Sequence, residues 1–265
     1  MGNMRSTGYS SEAGYAGASA GTIGSNRGMK RLSVEVWSDI ACPWCSVGKR
    51  RLEAALARFA ASDAVDVRWR AFELDPTSPK SKDPSIPYAE RLAAKYQMPV
   101  TRAEEMIRTM TEAAAADGLD FHFERIRPGN TMDAHRVIKF AESRDLSGAM
   151  KERFLVAYMT EGEAIGEPDV LARLASDVGL DCEEVLGLLE TDALRAEVQA
   201  DEELARSLGI SGVPFFLIDG RIGLSGAQPA DVLLQALTKA WDELDADSTG
   251  KTVGGPEACG PDGCA

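Results

Sequence analysis

Cys42-Pro43-Trp44-Cys45 stands between an alternating apolar run, Leu32, Val34 and Val36, and a helical pattern carried by Val47, Leu52, Ala55, Leu56 and Phe59. The first reads as a strand and the second as a helix, so the two thiols fall at the helix mouth. Pro43 carries a fixed φ suited to a first helical position, which puts Cys42 at or near the N-cap. There its sulfur is expected to accept the orphan amides of residues 44 and 45. Those amides and the helix dipole favour thiolate over thiol, so the sequence predicts a Cys42 pKa below the free value of about 8.5. Cys42 is thus the candidate nucleophile. Cys45, one turn further in, is shielded and within reach of a mixed disulfide on Cys42, which makes it the candidate resolving thiol. Half a zinc site or two core cysteines would show the same spacing, but a strand-loop-helix setting with proline between the thiols favours redox chemistry. Trp44 has two readings, an apolar face for a substrate peptide or a packing residue.

The chain has 265 residues, long enough for one large domain or two small ones. Asp and Glu outnumber Lys and Arg by 42 to 29, a net charge of −13, which argues against nucleic acid and anionic membrane surfaces as partners. No stretch approaches the roughly 20 apolar residues of a membrane span, and no apolar signal region opens the chain. A cytoplasmic location is the expectation. Five cysteines do not resemble a secreted disulfide framework, and in a reducing compartment a C-x-x-C pair is more often catalytic than structural.

Residues 1–28, rich in Gly, Ser and Ala, are expected to be disordered. Residues 29–76 form the first half of an α/β domain: strand, helix, then a second strand with Val65, Val67, Trp69 and Ala71 alternating, ending at Glu73-Leu74-Asp75-Pro76. That order implies a parallel pair with a right-handed crossover. A loop with four prolines between Asp75 and Pro87 follows. Residues 77–208 are read as a helical insertion, with capping boxes expected at Thr101–Glu104 and Asp181–Glu184. Residues 209–244 return to the α/β pattern: Val213–Ile218 as a strand, Asp219-Gly220 as a hairpin turn, residues 221–224 as the return strand. A last helix opens at Pro229 with Val232, Leu233, Ala236, Leu237 and Trp241 on one face. This is thioredoxin topology with an all-helical domain spliced between its halves. Pro214 would break a central ladder, so it belongs at the strand's start. A cis Val213-Pro214 bond there would aim the Val213 backbone at the cysteines, and a trans proline on an edge strand is the alternative.

Four segments, Asp39–Cys45, Arg70–Pro76, Asn130–Arg136 and Gly212–Phe216, together resemble the FrnE-like cytosolic branch of the DsbA family, over about Leu32 to Leu244. The resemblance implies a DsbA-like thioredoxin fold with a helical insertion, a cis Pro214 facing the active site, and disulfide oxidoreductase or isomerase activity. Related families include glutathione-dependent 2-hydroxychromene-2-carboxylate isomerases and kappa-class glutathione transferases, which typically carry serine at the position of Cys42. This chain keeps both cysteines. The substrate expected is a thiol or disulfide, protein or small molecule. No bound cofactor and no metal is expected, with glutathione a candidate redox partner.

Three further sites carry open alternatives. His135, on a helix with the apolar stripe Ala134, Val137, Ile138 and Ala141, either lines the cleft near the thiols or is satisfied locally. Glu73 either shuttles the Cys45 proton or is simply solvated at a strand end. Cys182, without a neighbouring cysteine, reads as structural. Residues 245–265 read as a flexible tail ending in Cys259-Gly260-Pro261-Asp262-Gly263-Cys264, whose Gly-Pro-Asp-Gly turn brings two thiols together. Its r.m.s. reach is roughly 20 Å. The tail pair is a relay to Cys42-Cys45, part of a four-cysteine zinc site with it, or an inert disulfide.

Overall fold

The computed structural model describes residues 30–248; the segment 1–28 and the tail pair Cys259 and Cys264 lie outside the described residues. Strand β1 (Leu32–Ser38) is followed by helix α1 (Pro43–Leu56) and strand β2 (Val65–Ala71), and β1 and β2 pair in parallel, Leu32 opposite Val65 and Ser38 opposite Ala71. A parallel neighbour needs a crossover, and α1 supplies it. Strands β3 (Phe215–Ile218) and β4 (Ile222–Ser225) complete a mixed sheet of order β2-β1-β3-β4, with β3 antiparallel to both neighbours. Asp219 and Gly220 turn the hairpin at φ of 52° and 65°. Positive φ at both central positions matches the twist of the strands, and Gly carries it without steric cost. Helix α9 (Ala230–Ser248) then packs on α1.

Between β2 and β3 lie α2 (Tyr88–Tyr96), α3 (Val100–Ala116), α4 (Met132–Glu142), α5 (Ser147–Val156), α6 (Pro168–Ser176), α7 (Cys182–Leu189) and α8 (Arg195–Ser207). A π-turn, Ala157–Glu161, extends α5. Asp181 caps α7, its carboxylate accepting from the Glu184 amide at 2.9 Å. The box expected at Thr101 does not form: α3 starts at Val100 behind Pro99, with no side-chain cap, which leaves Thr101 inside the first turn. The strand expected from Val213 begins at Phe215 instead, because Pro214 has no N–H to give a ladder. Phe59, expected on α1, lies beyond the helix end and is buried by its edge-on contact with Trp241, ring centroids 5.9 Å apart. Among the described residues no helix is long and apolar enough to cross a membrane.

The alternation in β1 understates its burial. Leu32, Val34 and Val36 join the main core with α1 and α9, while Trp37, on the opposite face, is equally inaccessible among Ala205, Ile210 and Phe215. Its indole Nε1 donates to the Asp201 carbonyl at 3.0 Å. A sheet carrying a parallel pair is covered on both faces, and α8 is the cover on this one. The buried Asp201 carboxylate fixes that cover: it accepts from Arg70 Nη1 at 2.7 Å, the Ala71 amide at 2.9 Å and Lys139 Nζ at 2.5 Å. Arg136, also buried, donates to the Leu188, Thr191 and Ala193 carbonyls and pairs with Asp133, tying the end of α7 to α4. These carbonyls lie at and just past a helix C-terminus, where intrahelical partners run out.

One close approach sets the position of the β3 entry. A Cβ added to Gly48 of α1 would lie 2.8 Å from Pro214 Cγ and 3.2 Å from Phe216 Cζ. The glycine costs helix propensity and admits the proline. Gly48→Val is expected to lower stability by about 1–3 kcal/mol through overpacking, read as a lower urea midpoint at unchanged slope; a variant as stable as the parent would show that the Pro214 loop gives way freely.

Candidate active site

Cys42 is the N-cap of α1, in extended backbone at φ −100° and ψ 112°, and Pro43 is the first helical residue. The sulfur does not cap the helix, contrary to the sequence expectation. The Cys45 amide bonds the Cys42 carbonyl at 3.0 Å, and the Cys42 Sγ donates instead to the Val213 carbonyl at 3.5 Å. A thiol carries a proton to give, and the carbonyl across the gap is a better partner for it than an amide. The Val213-Pro214 bond is cis. The Pro214 carbonyl accepts from the Gly226 amide at 2.8 Å, which ties this loop to the end of β4. Both cysteines are buried thiols, 5% exposed at Cys42 and 1% at Cys45. Trp44 is half-buried and packs against the core.

Behind the pair lies a group of buried charges. Asp39 accepts from the Leu74 amide at 2.8 Å and the Ala41 amide at 3.4 Å, and so pins the loop before Cys42 to the segment after β2. His135 Nε2 comes within 3.4 Å of Asp39 Oδ1 without hydrogen-bond geometry. Burial works against the Asp39 carboxylate, yet its His135 contact, the Leu74 amide and the charge of Lys151 outweigh it and hold its pKa below the usual range. Burial lowers the His135 pKa, with Lys151 adding to the effect and Asp39 opposing it, so the ring is neutral near pH 7. Lys151 of α5 is 1% exposed, donates to the Ser38 carbonyl at 3.1 Å, and has a pKa lowered to about 8 by burial. Cys45 is pushed well above the ordinary thiol range, first by burial and then by the neighbouring Cys42 sulfur.

A cleft of about 510 Å³ opens beside this loop, lined among others by Asp39, Ala41, Leu74, Tyr88, Arg91 and Tyr158. Burial, and after it the charge of Cys42, raises the Tyr88 pKa, so the phenol stays protonated. Burial does the same for Tyr158, which the π-turn presents.

With this geometry in view the comparisons with known proteins decide the family. The DSBA-like thioredoxin domain model matches residues 33–238. The chain belongs to that family. It is 41% identical to a probable DsbA oxidoreductase, SCO1869 from Streptomyces coelicolor, whose crystal structure superposes with a TM-score of 0.75 over 89% of this chain and 99% of that one. It is 28% identical over 209 residues to the uncharacterized protein YwbO of Bacillus subtilis, covering 78% of this chain and 96% of the relative. The cytosolic disulfide reductase DsbM from Pseudomonas aeruginosa, solved with GSH, shares the fold at 21% identity, a TM-score of 0.55, and coverage of 82% and 99%.

Within this DsbA-like scaffold the secondary candidates separate. His135 is buried and meets Asp39, an element away, and so is neither a cleft wall nor satisfied within its own helix boundary. Glu73 is not solvated: it is 7% exposed, accepts from Asn130 Nδ2 at 3.0 Å, and its amide donates to Glu202. Burial, then the charges of Glu202 and Asp39, raises its pKa to about 7. Cys182 opens α7, half-buried against the core. Lys151 escaped the sequence reading because lysine is almost never fully buried, and nothing in its helix pattern marks it as the exception.

The Glu73 shift has a stability consequence. A carboxyl whose folded pKa lies above its unfolded value of 4.5 contributes fully below pH 4.5 and loses that contribution as pH rises through about 7. Glu73→Gln, which keeps the acceptor for Asn130 without the charge, is therefore expected to match the parent near pH 4.5 and exceed it at pH 8 by on the order of 1–3 kcal/mol. Denaturant midpoints at the two pH values measure it, and parallel curves for both proteins would refute the buried-charge account.

Proposed function

We propose that the chain is a thiol-disulfide oxidoreductase in which Cys42 attacks and Cys45 resolves. The observation that supports it most directly is the approach of the Cys42 sulfur, at a helix N-cap, to the Val213 carbonyl at 3.5 Å beside the cis Pro214. In the first step the Cys42 thiolate attacks a substrate disulfide, a mixed disulfide forms, and one substrate sulfur leaves with the electron pair. Cys45 then displaces the second substrate sulfur, leaving the Cys42-Cys45 disulfide. The Val213-Pro214 segment holds the substrate by backbone pairing, in the manner of an added strand. Trp44 and Pro43 shape the approach. Whether the pair oxidises, reduces or isomerises follows from the poise of its compartment, and a cytoplasmic location and the FrnE-like branch belong to this proposal.

The cleft lends itself to a glutathione-class partner. It lies next to Ala41, and Arg91 and Lys95, one turn apart on α2, line it and make no ion pair among the described residues. A tripeptide with two carboxylates suits that rim. The solved GSH complex of DsbM, a relative in fold, is consistent with such a ligand.

The Cys45→Ser variant, incubated with oxidised glutathione, is expected to retain one glutathione on Cys42 by mass spectrometry, and Cys42→Ser to retain none and to lose disulfide reduction. A trapped adduct in Cys42→Ser but not in Cys45→Ser would reverse the roles. A chain that binds glutathione while both thiols stay titratable through turnover would be a glutathione-dependent isomerase of the 2-hydroxychromene-2-carboxylate type. Thiols that become titratable only after chelation would mark a four-cysteine zinc module, which needs Cys259 and Cys264.

The tail pair is assigned, within the same proposal, to relaying oxidising equivalents to Cys42-Cys45. Removal of residues 249–265, which leaves α9 whole, should slow active-site recycling and leave the denaturation midpoint unchanged; equal turnover, with no Cys42-Cys259 or Cys42-Cys264 crosslink by mass spectrometry, would leave the tail pair inert.

A further inference from the structure

Three lysine or arginine side chains are buried in the described part of the molecule, Lys49, Arg136 and Lys151. Two have carboxylate partners: Lys49 pairs with Glu53 at 2.5 Å and Glu152 at 2.7 Å, and Arg136 with Asp133 at 2.8 Å. Lys151 makes no ion pair among the described residues. Its Nζ has a single hydrogen bond, to the Ser38 carbonyl at 3.1 Å, at the end of β1 and four residues before Cys42. A buried ammonium without an adjacent counter-ion costs several kcal/mol, so a fold that keeps one here holds a positive field in place. The groups that feel it are Cys45 first, then Asp39 and Cys42.

We propose that Lys151 is a positioning residue for the resolving step, its buried ammonium stabilising the Cys45 sulfur as it becomes the thiolate that attacks the mixed disulfide on Cys42. This rests on the roles assigned to Cys42 and Cys45 above. In the step the bond between Cys42 and the substrate sulfur breaks and the Cys42-Cys45 bond forms. The Cys45 thiolate supplies the electron pair of the new bond, the pair of the broken bond leaves on the substrate sulfur, and the proton given up by Cys45 ends there. Lys151 keeps its protons throughout. Cys45 needs the help, because burial and the neighbouring Cys42 sulfur both oppose its ionisation. Glu73, the sequence candidate for handling this proton, turns its carboxylate to Asn130 Nδ2. The charged and titratable groups around Lys151 are Asp39 before α1, Cys42, Cys45 and Lys49 on α1, and His135 on α4, neutral near pH 7. Asp39 offsets part of the lysine field, and its own bonds to the Leu74 and Ala41 amides hold it toward the loop.

The reaction with 5,5′-dithiobis(2-nitrobenzoate) separates the two steps in one trace of the full chain. The first thionitrobenzoate released reports attack by Cys42, and the second reports resolution by Cys45. Lys151→Met is expected to slow the second phase about tenfold or more at pH 7 and to move its pH midpoint upward, tenfold corresponding to one pKa unit. Lys151→Arg, which keeps the charge, is expected to restore the second phase to within about threefold of the parent. Near-UV circular dichroism and the denaturation midpoint establish that each variant is folded; if the Met variant is not, the Arg variant decides by the same threefold criterion. A folded Met variant with the parent's second phase and pH midpoint overturns the proposal, as does a folded Arg variant as slow as Met. A first phase that survives Cys42→Ser would instead overturn the underlying roles of the cysteines, so the two failures are distinguishable.

Discussion

The site depends on one piece of close packing, Pro214 seated against Gly48 of α1. Cys42 and Val213 are separated by 171 positions in the chain, yet the thiol and the carbonyl stand 3.5 Å apart. What brings them together is the antiparallel pairing of β3 on β1, Val36 opposite Phe216, which delivers the residues before β3 to the helix that follows β1. A Cβ at position 48 would press on Pro214 Cγ and Phe216 Cζ at once. Interiors packed like molecular crystals transmit such a displacement, so the glycine governs the distance on which the proposed chemistry turns.

Burial of the sulfurs creates the second constraint. The charges that the proposed chemistry forms at Cys42 and Cys45 arise in a place with little water to solvate them, and fixed groups stand around the pair instead. Cys42 stands at the N-cap of α1 with its sulfur toward the Val213 carbonyl, while Lys151, Asp39 and His135 occupy the space behind. Two of these come from α4 and α5. The inserted helices therefore do more than enlarge the core: they supply the cation behind the pair, and α2 and the π-turn supply the walls of the cleft. The same insertion also covers the second face of the sheet, where Asp201 gathers Arg70, Ala71 and Lys139 into one buried network.

Sequence alone determined the local terms. Period-two apolar runs specified β1 and β2, the proline after Cys42 set the start of α1, Asp219-Gly220 turned the hairpin, and Asp181 capped α7, because each depends on residues within a few positions of one another. The order of these elements implied the thioredoxin topology, and the four segments resembling the DsbA family implied the same fold. Tertiary structure decided the rest, for reasons of distance and dielectric. It turned the Cys42 sulfur toward Val213 rather than the helix amides, buried Glu73 where a solvated carboxylate was one expectation, and moved the start of α3 so that Thr101 caps nothing. It also placed Lys151, an ordinary lysine by its neighbours in sequence, behind the cysteine pair. Whether a charged side chain meets water or a sulfur is set by helices that are remote in sequence and adjacent in space, and that information exists only once the chain has packed.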